Sequence, residues 1–229
     1  MAPNIGVVRF PGTNCEFDTV EAVNALGAQG EILWHGDTSL GNSDAVIIAG
    51  GFAHGDYLRP GAIARFSPIM ESIVAAANDG MPVIGICNGF QVLTEAGLLP
   101  GALQKNAGLK FINDWQMLRV ATTNSALTSA AEVGQELNIP INHFEGNYTC
   151  SPETLAELQG NDQIVLTYVP NPNGSVGDIA GVCNEGRNVV GLMPHPERAS
   201  HELLGSTDGN VLLQSVLDSV AVTDDGLCV

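Results

Sequence analysis

The chain has 229 residues, 45% of them hydrophobic, which is enough to bury the core of one large α/β domain. Its 8 Lys and Arg residues against 25 Asp and Glu give a formal charge of −17, which repels nucleic-acid phosphates and anionic membranes. The opening segment lacks the basic and apolar regions of a signal peptide, and no run approaches the roughly 18 apolar residues of a membrane span. We therefore expect a cytoplasmic protein that binds neither nucleic acid nor membranes.

The cysteines are odd in number and widely scattered, and no two of them form a C-x-x-C pair. This distribution predicts neither a disulfide framework nor a zinc site, so we expect reduced thiols and no bound metal. The five are Cys15, Cys87, Cys150, Cys183 and Cys228.

The first half of the chain alternates short apolar runs with amphipathic stretches. This βαβα rhythm is typical of a mostly parallel sheet with helices on both faces. Apolar runs predict strands over 4–10, 31–35, 44–51 and 82–86, and apolar residues three and four apart predict helices over 15–26, 61–80 and 90–97.

The second half changes character and predicts an antiparallel layer added to the same core. Strand-like runs cover 115–123, 138–144 and 163–169, and a hairpin over 179–193 turns at Glu185-Gly186. A last helix is predicted over 207–221. We expect residues 1–222 to form a single domain and residues 223–229 to form a polar C-terminal tail.

The segment GICNG, residues 85–89, lies between a predicted strand and a predicted helix. Glycines two residues on each side of a cysteine permit the sharp turn that holds a nucleophile above the end of a sheet. The partial positive charge at the N-terminus of the next helix favours the thiolate of Cys87 over the thiol. The alternative interpretation is that Cys87 is a small core residue at the end of a strand.

Of the five histidines, His195 alone lies in a rigid motif, MPHPERA, with a proline on each side. Residues two apart in an extended segment project to the same side, so Glu197 is placed to orient the His195 ring. Together with Cys87, the chain order Cys, His, Glu predicts a catalytic triad. The alternative is a surface turn with a solvated glutamate.

A pair of glycines ends the predicted strand over 44–51, within the segment AGGFAHGDY. Glycines there let the backbone turn sharply and point N–H groups outward, at the strand ends where ligands bind in parallel sheets. Taken alone, the pair is more typical of an ordinary turn.

The motifs GICNGFQ and MPHPERA make the chain resemble the class I, triad-type glutamine amidotransferases, whose glutaminase domains release ammonia from glutamine. The closer resemblance, which covers nearly the whole chain, is to the glutaminase subunits of phosphoribosylformylglycinamidine synthase, from de novo purine biosynthesis. It implies a class I glutamine amidotransferase-like (flavodoxin-like) α/β fold. In chain order the motifs are FPGTNCE, GGFAHGDYLRPGAIAR, GICNGFQ, LLPGAL, NPNGSVGDIAGVCNEGRNVVGLMPHPERA and LLGSTDG.

The resemblance also implies a role for each residue of the site. Cys87 is the expected nucleophile, His195 the general base and then acid, and Glu197 the residue that orients His195. The backbone N–H groups of Gly51 and Asn88 are expected to form the oxyanion hole.

Three further residues, Phe52, Gln91 and His143, are expected at the glutamine pocket, although Gln91 also fits a solvated helix position. The family commonly reads H-G-E-G around His143, whereas this chain has Phe144 in place of the first glycine. A side chain there is expected to reshape the edge of the pocket, which Glu145 also borders.

The resemblance implies L-glutamine as substrate and no cofactor in this chain. No P-loop or other ATP-binding pattern occurs, so ATP and Mg²⁺ are expected on a separate large synthetase subunit, with a small accessory subunit as a second partner. Two alternatives remain: a stand-alone cysteine amidase or peptidase of the same fold, and a non-catalytic regulatory subunit.

Overall fold

The structure is a computed structural model that describes residues 2–221, so the predicted tail over 223–229 lies outside the described residues. The chain folds around a nine-stranded sheet, with a second sheet of two strands. The strands are β1 Asn4–Arg9, β2 Gln29–Trp34, β3 Ala45–Ile48, β4 Val83–Ile86, β5 Ala102–Gln104, β6 Ile112–Val120, β7 Glu136–His143, β8 Asn147–Thr149, β9 Ile164–Tyr168, β10 Ile179–Cys183 and β11 Val189–Leu192. The α-helices are α1 Glu16–Ala25, α2 Ile69–Asn78, α3 Asn88–Glu95, α4 Pro152–Gly160 and α5 Gly209–Ala221.

The large sheet has the strand order β2-β1-β3-β4-β11-β10-β9-β6-β7. Strands β2, β1, β3, β4 and β11 pair in parallel, as the first-half rhythm predicts. Every residue of the central strands β3 and β4 is buried, which explains their continuous apolar runs. The carboxyl ends of these strands form the edge where Cys87 lies.

The antiparallel strands continue this same sheet. The hairpin predicted over 179–193 is confirmed, since β10 pairs antiparallel with β11, and β9, β6 and β7 extend the sheet beyond it. The class I amidotransferase-like α/β fold is confirmed. The antiparallel strands extend the large sheet and do not form a separate layer packed against its face.

The single helix predicted over 61–80 is wrong in its first half. Gly61 has a φ of 78°, and a short 3₁₀ turn over Ala64–Phe66 ends at Ser67, whose φ of −66° and ψ of 144° are extended. Pro68 disfavours a helical conformation at the preceding residue, so α2 begins only after it, at Ile69.

Three elements were not predicted from the pattern. Helix α4 begins after Ser151, whose side chain accepts a hydrogen bond from the Thr154 N–H at 3.1 Å, with Pro152 in the first turn. Strands β5 and β8 form the small second sheet, and each is only three residues long. A run of three residues is too short to show an alternating pattern.

Helix α5 packs closely against the segment that follows β11. Its first residue, Gly209, touches the carbonyls of Pro196 and Ala199, where a Cβ atom would collide with the backbone. Among the helices of residues 2–221, none has the length and apolar character that crossing a membrane requires.

Candidate active site

Cys87 occupies a strained turn between β4 and α3. Its φ of 50° and ψ of −103° are rare for a residue with a side chain, and such strain is found at functional sites where the surroundings enforce it. The Cys87 N–H donates to the Leu192 carbonyl at 2.7 Å, which ties the turn to the end of β11. The predicted elbow is therefore present in the backbone.

The two glycines of the GICNG segment are required by close packing. A Cβ atom on Gly85 would lie 2.6 Å from the backbone of Gly89, and one on Gly89 would collide with the Ile48 carbonyl at the end of β3. Glycine at both positions lets α3 pack directly against β3 and β4. The helix N-terminus is thereby held beside Cys87.

His195 and Glu197 form a buried pair just beyond β11. The Nδ1 atom of His195 lies 2.6 Å from Oε1 of Glu197, and each residue is only 1% exposed. The His195 N–H donates to the Pro140 carbonyl at 2.9 Å, so the pair is also tied to β7. The alternative of a surface turn with a solvated glutamate is wrong.

The imidazole of His195 interacts with the thiol of Cys87. Burial lowers the pKa of His195, but the charges of Glu197 and Cys87 outweigh it and raise this pKa well above its usual value. A ring that holds its proton beside Cys87, with its orientation fixed by Glu197, can serve as the acid and base of a triad. Cys87, His195 and Glu197 are therefore brought together, far apart as they are in the sequence.

The paired glycines end β3 next to this group. A Cβ atom on Gly50 would lie 2.8 Å from Cε1 of His195, so glycine makes room for the ring. Gly51 has a φ of 147° and faces Thr13 in an antiparallel bridge. The N–H groups of Asn14 and Phe52 make the hydrogen bonds of that bridge, which leaves the Gly51 N–H out of it.

The side chain of Asn88 links the loop after β3 to α3. Its Oδ1 accepts the Ala53 N–H at 2.9 Å, and its Nδ2 donates to Oε1 of Gln91 at 2.8 Å. Gln91 in turn donates to the Glu145 carbonyl at 2.7 Å and is buried, so its interpretation as a solvated residue is wrong. The backbone N–H of Asn88 lies in the first turn of α3, where N–H groups lack helical partners.

Two carboxylates lie at the edge of this network. Burial and the charge of Glu145 raise the pKa of Asp56 to about 6, although a hydrogen bond from Asn88 opposes the shift. Burial also raises the pKa of Glu145, against the effect of Lys105. Phe52, which was expected at the glutamine pocket, lies close to Asp56 in the sequence, and it is 45% exposed.

His143 ends β7 and is buried. Burial, followed by the charge of His195, lowers the pKa of His143 to about 4. The centroid of the Phe144 ring lies 5.8 Å from Nζ of Lys105, a cation–π contact. The carbonyl of Asn142 accepts a hydrogen bond from Sγ of Cys87 at 3.7 Å.

A second thiol, Cys15, also reaches His195, although no role was predicted for it. Arg198 donates to its sulfur at 3.2 Å, and ligand atoms of Cys15, His195 and Glu197 lie within 4.8 Å of one another. Such a trio has the spacing of a metal site, but the His195–Glu197 and Arg198–Cys15 hydrogen bonds already use these atoms. The FPGTNCE motif contains Cys15, yet nothing in its spacing pointed toward His195.

Comparison with known proteins gives the family. Residues 2–210 match the model of the CobB/CobQ-like glutamine amidotransferase domain. Phosphoribosylformylglycinamidine synthase subunit PurQ of Rubrobacter xylanophilus is 56% identical over 95% of this chain and 99% of its own, and that of Helicobacter hepaticus is 54% identical over 93% and 97%. A chain from the structure of PurLQS from Thermotoga maritima is 43% identical, with a TM-score of 0.89, over 95% of this chain and 99% of its own. The chain is a glutamine amidotransferase and belongs to the PurQ family of phosphoribosylformylglycinamidine synthase subunits.

Proposed function

We propose that this chain hydrolyses L-glutamine to glutamate and ammonia through Cys87, His195 and Glu197, and that the ammonia serves a synthetase that makes formylglycinamidine ribonucleotide. The observation that carries the proposal is the buried 2.6 Å contact between His195 and Glu197, with the imidazole interacting with a cysteine held at a strained elbow. That arrangement matches the nucleophile, base and orienting group of a triad.

In the first half of the reaction, Cys87 attacks the side-chain carboxamide of glutamine as a thiolate. The backbone N–H groups of Gly51 and Asn88 would stabilise the oxyanion, and losing one such donor typically costs about 2.7–4 kcal/mol of transition-state stabilisation. His195, protonated and held by Glu197, donates its proton to the departing nitrogen. The carbon–nitrogen bond breaks, and ammonia and a γ-glutamyl thioester on Cys87 remain.

In the second half, His195 takes a proton from water, which attacks the thioester. The carbon–sulfur bond breaks, glutamate leaves and Cys87 returns to its thiolate. These steps use side chains and backbone groups of this chain alone. ATP and Mg²⁺ would act on the synthetase subunit.

The proposal includes two partners and a location. Similarity to a chain of PurLQS from Thermotoga maritima supports assembly with a large synthetase subunit, and we extend this to a small accessory subunit. Ammonia released into water would become ammonium, which is not a nucleophile, so the two sites must be joined. A cytoplasmic location fits a catalytic thiol, because reducing compartments keep cysteines free.

The test is glutamine turnover, measured as glutamate and ammonia release with the synthetase present. Cys87→Ser should abolish turnover, whereas Cys15→Ser should retain most of it, because only Cys87 occupies the elbow. This pair is well matched, since both thiols are buried and both interact with His195. Loss with Cys15→Ser and retention with Cys87→Ser would contradict the assignment of the nucleophile.

The same assay separates the alternatives. Cleavage of other amides or peptides without glutamine use would favour a stand-alone hydrolase. No turnover by the wild-type chain under any condition would favour a regulatory subunit.

Access to the site supports a role for assembly. Cys87 is only 5% exposed, so neighbouring segments of this chain largely cover the nucleophile. We expect the isolated chain to hydrolyse glutamine slowly and the synthetase to speed it. Equal turnover with and without the synthetase would contradict this expectation.

A further inference from the structure

The side chain of Asn106 is completely buried, and its hydrogen bonds fix the orientation of its amide. Its Nδ2 donates to the backbone carbonyls of Lys110 at 2.9 Å and His143 at 3.0 Å. Its Oδ1 accepts the backbone N–H of Gly146 at 3.2 Å. Both carbonyls can only accept and the Gly146 N–H can only donate, so exchanging the amide nitrogen and oxygen would break all three bonds.

This orientation determines the tautomer of His143. The Nδ1 atom of His143 lies 3.0 Å from Oδ1 of Asn106. An amide oxygen accepts but cannot donate, so Nδ1 carries the hydrogen. In a neutral imidazole the other nitrogen, Nε2, is then a hydrogen-bond acceptor with a free lone pair.

The ring of His143 is neutral, and its Nε2 lacks a donor. Burial and the charge of His195 lower the pKa of His143 to about 4, which leaves the ring uncharged at neutral pH. His143 is 3% exposed, and within residues 2–221 no donor reaches its Nε2. Because an unsatisfied buried acceptor is costly, this nitrogen points to a donor supplied by a ligand.

The position of the ring identifies that ligand. The residue before it, Asn142, contacts Sγ of Cys87 through its carbonyl, and His195 acts on the ring electrostatically. His143 therefore belongs to the enclosed region around the nucleophile. The donors that arrive there during the reaction are the N–H groups of the glutamine carboxamide.

We infer that Asn106 is a positioning residue that holds His143 as the Nδ1–H tautomer, so that Nε2 accepts an N–H of the glutamine carboxamide and then of the released ammonia. This inference rests on the proposed function. A neutral ring that presents a lone pair binds ammonia without giving it a proton. It thus keeps the product nucleophilic at the start of its path.

The first experiment reads the tautomer directly. In the full-length chain labelled with ¹⁵N-histidine, long-range ¹H–¹⁵N spectra at neutral pH should show His143 neutral and protonated at Nδ1. Asn106→Ala should move the signal toward the Nε2–H tautomer and lower kcat/KM for glutamine. A wild-type ring that is charged, or protonated at Nε2, would overturn the inference without any activity measurement.

The second experiment uses a matched pair of variants. In His143→Asn the amide nitrogen replaces Nδ1–H but no acceptor remains at Nε2, whereas His143→Gln places an oxygen near Nε2. With the synthetase present, His143→Asn should lower kcat/KM by about 10- to 100-fold, the loss expected when a buried acceptor is removed, and His143→Gln should retain more activity. Equal losses in the two variants, or no loss in either, would contradict the inference, and thermal unfolding of both checks that they fold.

Failure of the proposed glutaminase function and failure of the role given to Asn106 and His143 produce different results. If the wild-type chain releases no ammonia from glutamine, the proposed function fails and this inference fails with it. If the wild-type chain is active and Cys87→Ser is not, but the spectra or the variant pair give the contrary result, only the role of Asn106 and His143 is overturned.

Discussion

The elbow at Cys87 and the turn over 142–146 both belong to the site, but they are held in different ways. At the elbow, Gly85 and Gly89 bring backbone against backbone, and hydrogen bonds between main-chain groups complete the support. At the turn, buried side-chain amides replace strand partners. The elbow therefore depends on glycines, which have no side chain, whereas the turn depends on hydrogen bonds made by buried side chains.

Two buried amides, those of Asn106 and Asn173, hold the turn. Asn106 bonds to Nδ1 of His143 and the N–H of Gly146, and Nδ2 of Asn173 donates to the Gly146 carbonyl at 2.8 Å. Oδ1 of Asn173 also accepts the N–H and the hydroxyl of Ser175. Gly146 lies so close to the His143 ring that a Cβ atom would collide with it. Phe144, within this turn, is half-buried and lies against Lys105.

Glu197 joins the two regions through His195, so its substitution should have the largest effect. Glu197→Gln keeps the shape but removes the charge that stabilises the imidazolium. By analogy with other triads we expect kcat to fall by about 10²- to 10⁴-fold. Steady-state glutaminase kinetics with the synthetase measure this.

Glu16→Gln is the control, because Glu16 is equally buried but pairs with Arg9 at 3.0 Å, in a separate ion pair. Its kcat should stay near the wild-type value. If the kcat of Glu197→Gln were within threefold of the wild-type value, the Glu197 carboxylate would have no role in the mechanism.

Gly89→Ala tests the elbow side of the comparison. The added methyl group collides with the Ile48 carbonyl, and backbone cannot yield as a flexible side chain does. We expect a loss of about 3 kcal/mol or more in the free energy of unfolding, measured by urea titration. Gly160→Ala, at the end of α4 with open space around it, should change stability little. Equal effects of the two substitutions would show that close packing does not hold the elbow.

Asn173→Ala tests the amide side. The change leaves the Gly146 carbonyl and the Ser175 N–H without their partner, so we expect the free energy of unfolding to fall by about 2 kcal/mol. Asn113→Ala, at an exposed position of β6, is the control and should be nearly neutral. A loss below about 0.5 kcal/mol for Asn173→Ala would mean that water replaces the amide without cost.

Asp56 gives the smallest expected effect, and it depends on pH. Its folded-state pKa of about 6 lies above the usual 3.8, so the cost of its charge is absent below about pH 4, grows between pH 4 and 6 and is fully present above pH 6. Asp56→Asn keeps an acceptor for Asn88 and should stabilise the fold by about 1 kcal/mol at pH 7–8, after allowing for partial exposure. Urea unfolding of both chains from pH 4 to 8 measures this, and a difference that does not change with pH would contradict it.

The elbow could be predicted from the sequence, whereas the support of the turn over 142–146 could not. The elbow and the His195–Glu197 spacing were predictable because glycine and proline patterns restrict the backbone locally. The roles of Asn106, Cys15 and Arg198 were not, because a lone polar residue is most often solvated and its burial depends on distant segments. The helix predicted over 61–80 failed for a local reason, since apolar spacing was given more weight than Pro68.

The contact of Gly209 with Pro196 and Ala199 has a mechanical consequence. The first turn of helix α5 packs directly against the backbone of the segment Pro196–Ala199, which follows His195. A displacement of the start of α5 would therefore push on the backbone on either side of Glu197. The position of the orienting carboxylate thus depends on a helix that carries none of the three residues of the predicted triad.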